Sequence, residues 1–231
     1  MPRKIDAILF DKDGTLFDFR KSWGRWAASL LAQLAPDPAD QHRLGAVIGY
    51  DVGDQSFAPD SPVIAATPSE IAAILAPHYH ALTADQLEIH MNRLAASAEM
   101  APAVPLGPLL HDLRQSGLQL GVATNDAATP AHAHLTAAGI LEYFDAVYGC
   151  DSGFGSKPQP GMLIAFANHT GLAPARIAMV GDSTHDLHAA RAAGMIAIAV
   201  LTGMATAPDL APHADVVLPD ISHLPLWLNA A

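Results

Sequence analysis

Six short apolar runs punctuate the chain, at Ile5–Phe10, Leu118–Thr124, Ala146–Tyr148, Ile177–Gly181, Ile196–Leu201 and Asp215–Leu218. The first ends abruptly at the polar, glycine-bearing run Asp11-Lys12-Asp13-Gly14-Thr15. A brief, partly β-branched apolar run closed by turn residues suits a strand buried on both faces. Between the later runs, stretches near 106–116, 130–139, 160–170 and 184–194 carry helical periodicity. Strands alternating with helices predict an α/β fold with a doubly wound parallel sheet.

About 100 residues separate the first run from the second, too many for one crossover. Their pattern is helical at 20–35, 39–47, 68–76 and 83–97 and loop-like at 49–67. This segment reads as an inserted helical cap, with hinges near Phe17–Phe19 and Ala101–Pro105, where Pro102 and Pro105 interrupt helix continuation. The expected division is a core domain of residues 1–17 and 102–231 and a cap of residues 18–101.

Composition narrows the picture. With 231 residues, 51% of them hydrophobic, the chain can bury a sizeable core. Twelve Lys and Arg against 23 Asp and Glu leave a net charge of -11, which argues against nucleic acid as a partner and leaves room for a cation. Cys150 is the single cysteine, so no internal disulfide is expected. Neither a secretory signal nor an apolar run long enough for a bilayer stands out, so a cytoplasmic protein with no membrane partner is expected. The sequence leaves monomer and homodimer equally open.

In open parallel sheets ligands bind beyond the carboxyl ends of the strands, so polar residues that follow apolar runs belong together. Four such stations occur. Asp11 and Asp13 can both face one site if the backbone leaves strand geometry between them, and Gly14 makes a tight turn cheap. Thr124-Asn125 offers a hydroxyl and backbone N–H groups to an anion. Lys157, in Gly155-Ser-Lys-Pro-Gln-Pro-Gly161, is a cation in a stiff loop. Asp182 and Asp186 lie four apart at a helix start and can hold a hard cation or cap the helix. Any one station alone could be a turn or a cap. Together, hydroxyl, cation and carboxylates match what phosphoryl transfer through a carboxylate requires. The pairs His132/His134 and His185/His188 are read as solvated helix positions rather than zinc ligands, with His185 noted for lying inside the fourth station.

Asp11-Lys-Asp-Gly-Thr-Leu16, Thr124-Asn125, Lys157-Pro158 and Gly181-Asp-Ser-Thr-His-Asp186 resemble, in order, the four motifs of the haloacid dehalogenase superfamily. The branch they are most similar to is the phosphoglycolate phosphatase-like one. The resemblance implies a Rossmann-like core, a mobile cap and Mg²⁺-dependent hydrolysis of a small phosphomonoester. Asp11 would be the nucleophile, forming an aspartyl-phosphate. Asp13 would act as general acid and then base, a role suited to a carboxyl crowded by others. The ion would be held by Asp11, the Asp13 carbonyl and Asp182, with Asp186 positioning a metal-bound water. Thr124, the Asn125 backbone and Lys157 would hold phosphoryl oxygens. Lys12 replaces the apolar residue commonest at its position and is expected to point away from the metal, neutral for the mechanism.

Asp13 argues against a dehalogenase, which needs no acid for a leaving alkoxide. A cap with Lys21 as its one lysine, beside the hinge, argues against a Schiff-base phosphonatase. A hexose phosphomutase, and a non-catalytic phosphate-binding or regulatory protein, remain as alternatives. Candidate substrate contacts from the cap are Arg20, Lys21 and Arg25 near the hinge, and Tyr50, Asp51, Ser56 and Ser61 in the 49–62 loop. A basic trio there would suit an anionic substrate such as phosphoglycolate.

Overall fold

The apolar runs form a six-stranded parallel sheet in a computed structural model that describes residues 5–230. In chain order the elements are β1 (Ala7–Phe10), α1 (Phe19–Leu34), α2 (Pro38–Val47), β2 (Tyr50–Asp51), β3 (Ser56–Phe57), α3 (Pro68–Leu75) and α4 (Ala84–Ala95). There follow α5 (Leu106–Gln115), β4 (Gln119–Ala123), α6 (Ala128–Ala137), β5 (Ala146–Tyr148), α7 (Gly161–Thr170) and β6 (Ile177–Gly181). The chain closes with α8 (Thr184–Ala193), β7 (Ile196–Val200), α9 (Ala207–Leu210), β8 (Val216–Leu218) and α10 (Leu224–Ala230). No helix among the described residues is long and apolar enough to cross a membrane.

The sheet order is β5-β4-β1-β6-β7-β8. Helices cover both faces, so β1, β6 and β7 are buried along their whole length, whereas the three-residue edge strands β5 and β8 are only half-buried. From β1 the chain works outward to β4 and β5, then returns to β6 and works outward the other way. The connections therefore diverge between β1 and β6, the switch point where such sheets open a crevice. Register brings the polar stations level. Phe10 pairs with Val122 on one side and Val180 on the other, so Asp11, Thr124 and Asp182 leave the sheet together at its carboxyl edge.

The segment between β1 and α5 packs around its own apolar cluster. On α1 the residues Phe19, Trp23, Trp26, Ala27, Leu30, Leu31 and Leu34 form one buried stripe at helical spacing, against Leu44, Ile71, Leu75, Leu87 and Met91 from the next helices. Asp18 caps α1, while Thr67 and Thr83 close reciprocal capping boxes with Glu70 and Gln86 at the starts of α3 and α4. The 49–67 stretch, expected as loop, contains the β2–β3 hairpin, whose Tyr50 hydroxyl donates to the Gly24 carbonyl at 2.7 Å. The two connectors run side by side: Asp18 N–H donates to Ala101 O at 2.8 Å, and Ala103 N–H to Leu16 O at 2.9 Å.

Candidate active site

Asp11 is the first residue past β1, and its N–H still donates to Val180 O at 2.8 Å, so the sheet itself fixes its position. The chain then turns through Gly14, at φ +84°, and a Cβ there would collide with the Asp182 carboxylate. Gly203, in the loop after β7, also lies against the Asp182 side chain, where a Cβ would collide with the same carboxylate. These two glycines let backbone approach a carboxylate that any other side chain would displace.

Lys157 is buried and its Nζ donates to Asp11 Oδ1 at 2.5 Å and to Asp186 Oδ1 at 2.6 Å. The other Asp186 oxygen closes the N-terminal capping box of α8, accepting from Ser183 N at 3.0 Å and Ser183 Oγ at 2.7 Å. Asp11, Asp182 and Asp186 each present an oxygen to one buried cluster, all within 4.8 Å of one another. Burial pushes the Asp11 carboxyl up to about 7; Lys157 opposes that rise, and Asp186 and Asp13 add to it. Asp182 is held well above the usual carboxylate range by burial, then by Asp11 and Asp186. For Lys157, burial works against the charged form, but Asp11 and Asp186 outweigh it and keep the ammonium protonated.

Thr124 is buried, its Oγ1 accepting from Asp126 N at 3.1 Å, which leaves its proton for an acceptor in the cavity it lines. The Asn125 side chain is already committed. Its Nδ2 donates to Ala65 O at 2.8 Å and Lys157 O at 2.9 Å, and its Oδ1 accepts from Lys157 N at 2.8 Å. It ties the lysine loop to the inserted helical segment, so only its backbone is available to an anion.

Two expectations are corrected here. Lys12 does point away from the three-carboxylate cluster, yet it is not a neutral bystander. Its side chain is 0% exposed, and its Nζ lies 2.8 Å from both oxygens of Asp13 and 3.1 Å from Asp126 Oδ2, the latter an ion pair outside hydrogen-bond geometry. Asp13 thus sits against an ammonium as well as beside the carboxylates of Asp11 and Asp126. His134 is buried rather than solvated, because α6 turns it inward against Lys12 and α4, while His132 stays exposed. Lys12 Nζ stands 3.1 Å from His134 Nδ1, and His134 Nε2 stands 2.7 Å from the Ala95 carbonyl. An ammonium only donates and a carbonyl only accepts, so the proton of a neutral ring sits on Nε2.

That ring carries a testable consequence. Burial, then Lys12, hold the His134 pKa down at about 4, below its ordinary 6.5. Under pH 6.5 the unfolded imidazole binds a proton that the folded one refuses. The stabilisation is therefore intact above 6.5 and is lost as pH falls towards 4, a swing on the order of 3 kcal/mol. Thermal melts at pH 7.5 and pH 5 should show wild type losing more on acidification than His134→Asn. Equal losses would refute the assignment. Asp11 and Asp182 titrate in both proteins and cancel in that comparison.

The basic trio does not reach the site. Arg20, Lys21 and Arg25 lie on the face of α1 opposite its buried stripe, Lys21 paired with Asp18 at 3.0 Å and Arg25 with Glu99 at 3.6 Å, both exposed. Of the loop candidates, Tyr50 and Ser61 are buried in structural hydrogen bonds, and Asp51 caps its own turn. The cavity over Asp11 is roofed instead by Phe19, Trp23, Trp26, Ile64, Ile71 and Met91, with Asn92 beside them. The apolar stripe of α1 was visible in its spacing and placed 20, 21 and 25 on the far face. The contributions of 63–66 and of α4 had no local signal. His185 lines the cavity, whereas His188 is exposed and stands against His213 at 3.3 Å.

A family model described as haloacid dehalogenase-like hydrolase matches residues 8–200. The chain is 34% identical over 215 residues to a protein named probable phosphatase IndB from Dickeya dadantii, covering 92% of this chain and 88% of that one. It is 31% identical over 221 residues to a phosphoglycolate phosphatase from Caulobacter vibrioides, covering 95% and 89%. Among solved structures, CbbY from Rhodobacter sphaeroides in complex with phosphate superposes with a TM-score of 0.73 over 95% of this chain and 96% of that one. At 22% identity that likeness speaks to the fold alone. With the four stations converging at one switch point and the family model spanning all of them, the chain belongs to the haloacid dehalogenase-like hydrolases.

Proposed function

We propose that this chain is a magnesium-dependent phosphatase that hydrolyses a small phosphomonoester through an aspartyl-phosphate on Asp11. The observation that carries the reading is the buried Asp11–Lys157 pair, 2.5 Å apart, beside a further buried carboxylate, Asp182, at the sheet's switch point.

The donor set fits a hard divalent cation. Three buried carboxylates share one ammonium, and burial holds Asp11 at about 7 and Asp182 well above the usual range, so both lack enough positive charge to ionise freely near neutrality. Oxygen ligands of this kind suit Mg²⁺, which Asp11, Asp182 and the Asp13 carbonyl would hold. When bound, the ion supplies charge neutralisation for the transferring phosphoryl group. Asp186, with both oxygens engaged, acts by holding Lys157 in place.

An Asp11 carboxylate oxygen attacks phosphorus as the bond to the leaving oxygen breaks, and Asp13 gives that oxygen its proton. Asp13 then takes a proton from water, which attacks the phosphorus of the aspartyl-phosphate, releasing phosphate and regenerating Asp11. Lys157, the Thr124 hydroxyl and the Asn125 N–H hold the phosphoryl oxygens through transfer. Lys12 keeps the Asp13 carboxyl aimed while the site is empty.

Phosphate release from a panel of phosphorylated metabolites, with Mg²⁺ and with EDTA, tests this. Release should fall by about 10²-fold or more in EDTA. Silence in both conditions would overturn the phosphatase reading in favour of a mutase or a phosphate binder. Release indifferent to EDTA would remove the cation.

A further inference from the structure

We infer that the alcohol this enzyme releases is uncharged and ring-bearing; the inference rests on the phosphatase reading and names its substrate class. The cavity has two unlike halves. Its floor carries Asp11, Asp13, Lys157, Asp182 and Asp186, the groups that would take a phosphoryl group. Its roof, contributed by the inserted helices and the 63–66 segment, has Asn92 as its one amide side chain and no charged group among the lining residues.

Charge decides what fits under such a roof. A substrate carboxylate there would leave water for an apolar wall with no cation to meet it, an uncompensated desolvation. Arg20, Lys21 and Arg25, which could have met it, are on the outer face of α1. Lys157 is taken by the floor, and Lys12 by Asp13 and Asp126. A cationic alcohol fares no better, since the Lys12 ammonium already lies 5.2 Å from the Trp23 ring centroid. Neutral rings gain instead. Phe19, Trp23 and Trp26 offer large rigid surfaces, and Trp23 and Trp26 meet edge-to-face with centroids 5.1 Å apart.

The test compares phosphomonoesters of primary alcohols that differ in charge and in bearing a ring. Steady-state kcat/KM with Mg²⁺ is measured for benzyl phosphate, 4-carboxybenzyl phosphate, ethyl phosphate, phosphoglycolate and choline phosphate, with acetyl phosphate as a substrate that has little to place under the roof. Benzyl phosphate should exceed its carboxylate and phosphoglycolate by about tenfold or more, with the difference mainly in KM. Equal or better turnover of phosphoglycolate, 4-carboxybenzyl phosphate or choline phosphate would overturn the inference. In parallel, calorimetry compares binding of benzylphosphonate and phosphonoacetate, neither of which can be hydrolysed. Benzylphosphonate should bind more tightly, and the reverse order would overturn the inference. Acetyl phosphate left intact would count against the phosphatase reading alone, because the phosphonate pair still reports the roof.

Discussion

Asp11→Asn should abolish phosphate release, by on the order of 10⁴-fold or more, while the protein stays folded. The amide matches the carboxylate in shape but has no anionic oxygen to attack phosphorus. Folding should tolerate it because Asp11 is an expensive carboxylate. It is buried and pushed up to about 7, beside two other buried carboxylates. Removing one from a cluster that holds a single ammonium relieves repulsion, and Lys157 keeps Asp186 at 2.6 Å. The metal-free variant should therefore melt no lower than metal-free wild type. Acid-quenched reactions with labelled substrate should trap a phosphoprotein in wild type and none in the variant. Turnover above trace by Asp11→Asn, or label retained on it, would assign the nucleophile elsewhere.

Lys12→Met should destabilise the fold by about 3–5 kcal/mol, the usual cost of removing one member of a buried ionic cluster. The methionine keeps the apolar stem and loses the charge. For Lys12, burial favours loss of the proton, but Asp13 and Asp126 more than offset it and hold the pKa above its ordinary value. Without the ammonium, the buried Asp126 carboxyl has no cation, and the His134 Nδ1 loses its donor. Urea titration of Lys12→Met, Asp126→Asn and the double variant forms a cycle that isolates the pair. The double variant should recover part of the loss. Strict additivity of the two single effects would show that Asp126 and Lys12 do not depend on each other. The same variant frees the Asp13 carboxyl from its 2.8 Å contacts, so kcat should fall along with stability.

Much of the sheet was legible because its central strands are buried on both faces. Such strands need apolar residues at every position and stop where polar residues begin, so their ends could be read directly and the four stations located on them. Helix positions followed from period alone, within a few residues of α1 to α8. The β2–β3 hairpin was not legible, since two-residue strands are too short to show alternation, and the four-residue α9 is too short to show a period.

The sequence by itself determined the architecture and the polar edge of the sheet, because both depend on local runs whose spacing is written in neighbouring residues. Only the tertiary structure decided what surrounds that edge. Lys12 between two aspartates reads as a side chain turned from the metal and neutral for the mechanism until Asp126 and His134, the latter 122 residues away, close over it. Asn125 reads only as a backbone ligand for an anion until Ala65 and the Lys157 loop give its side chain a second task. The basic residues 20, 21 and 25 read as substrate contacts until α1 packs by its aromatic stripe and turns them to solvent. In each case the deciding term is desolvation against a partner far along the chain, and no local pattern of residues encodes which partner that will be.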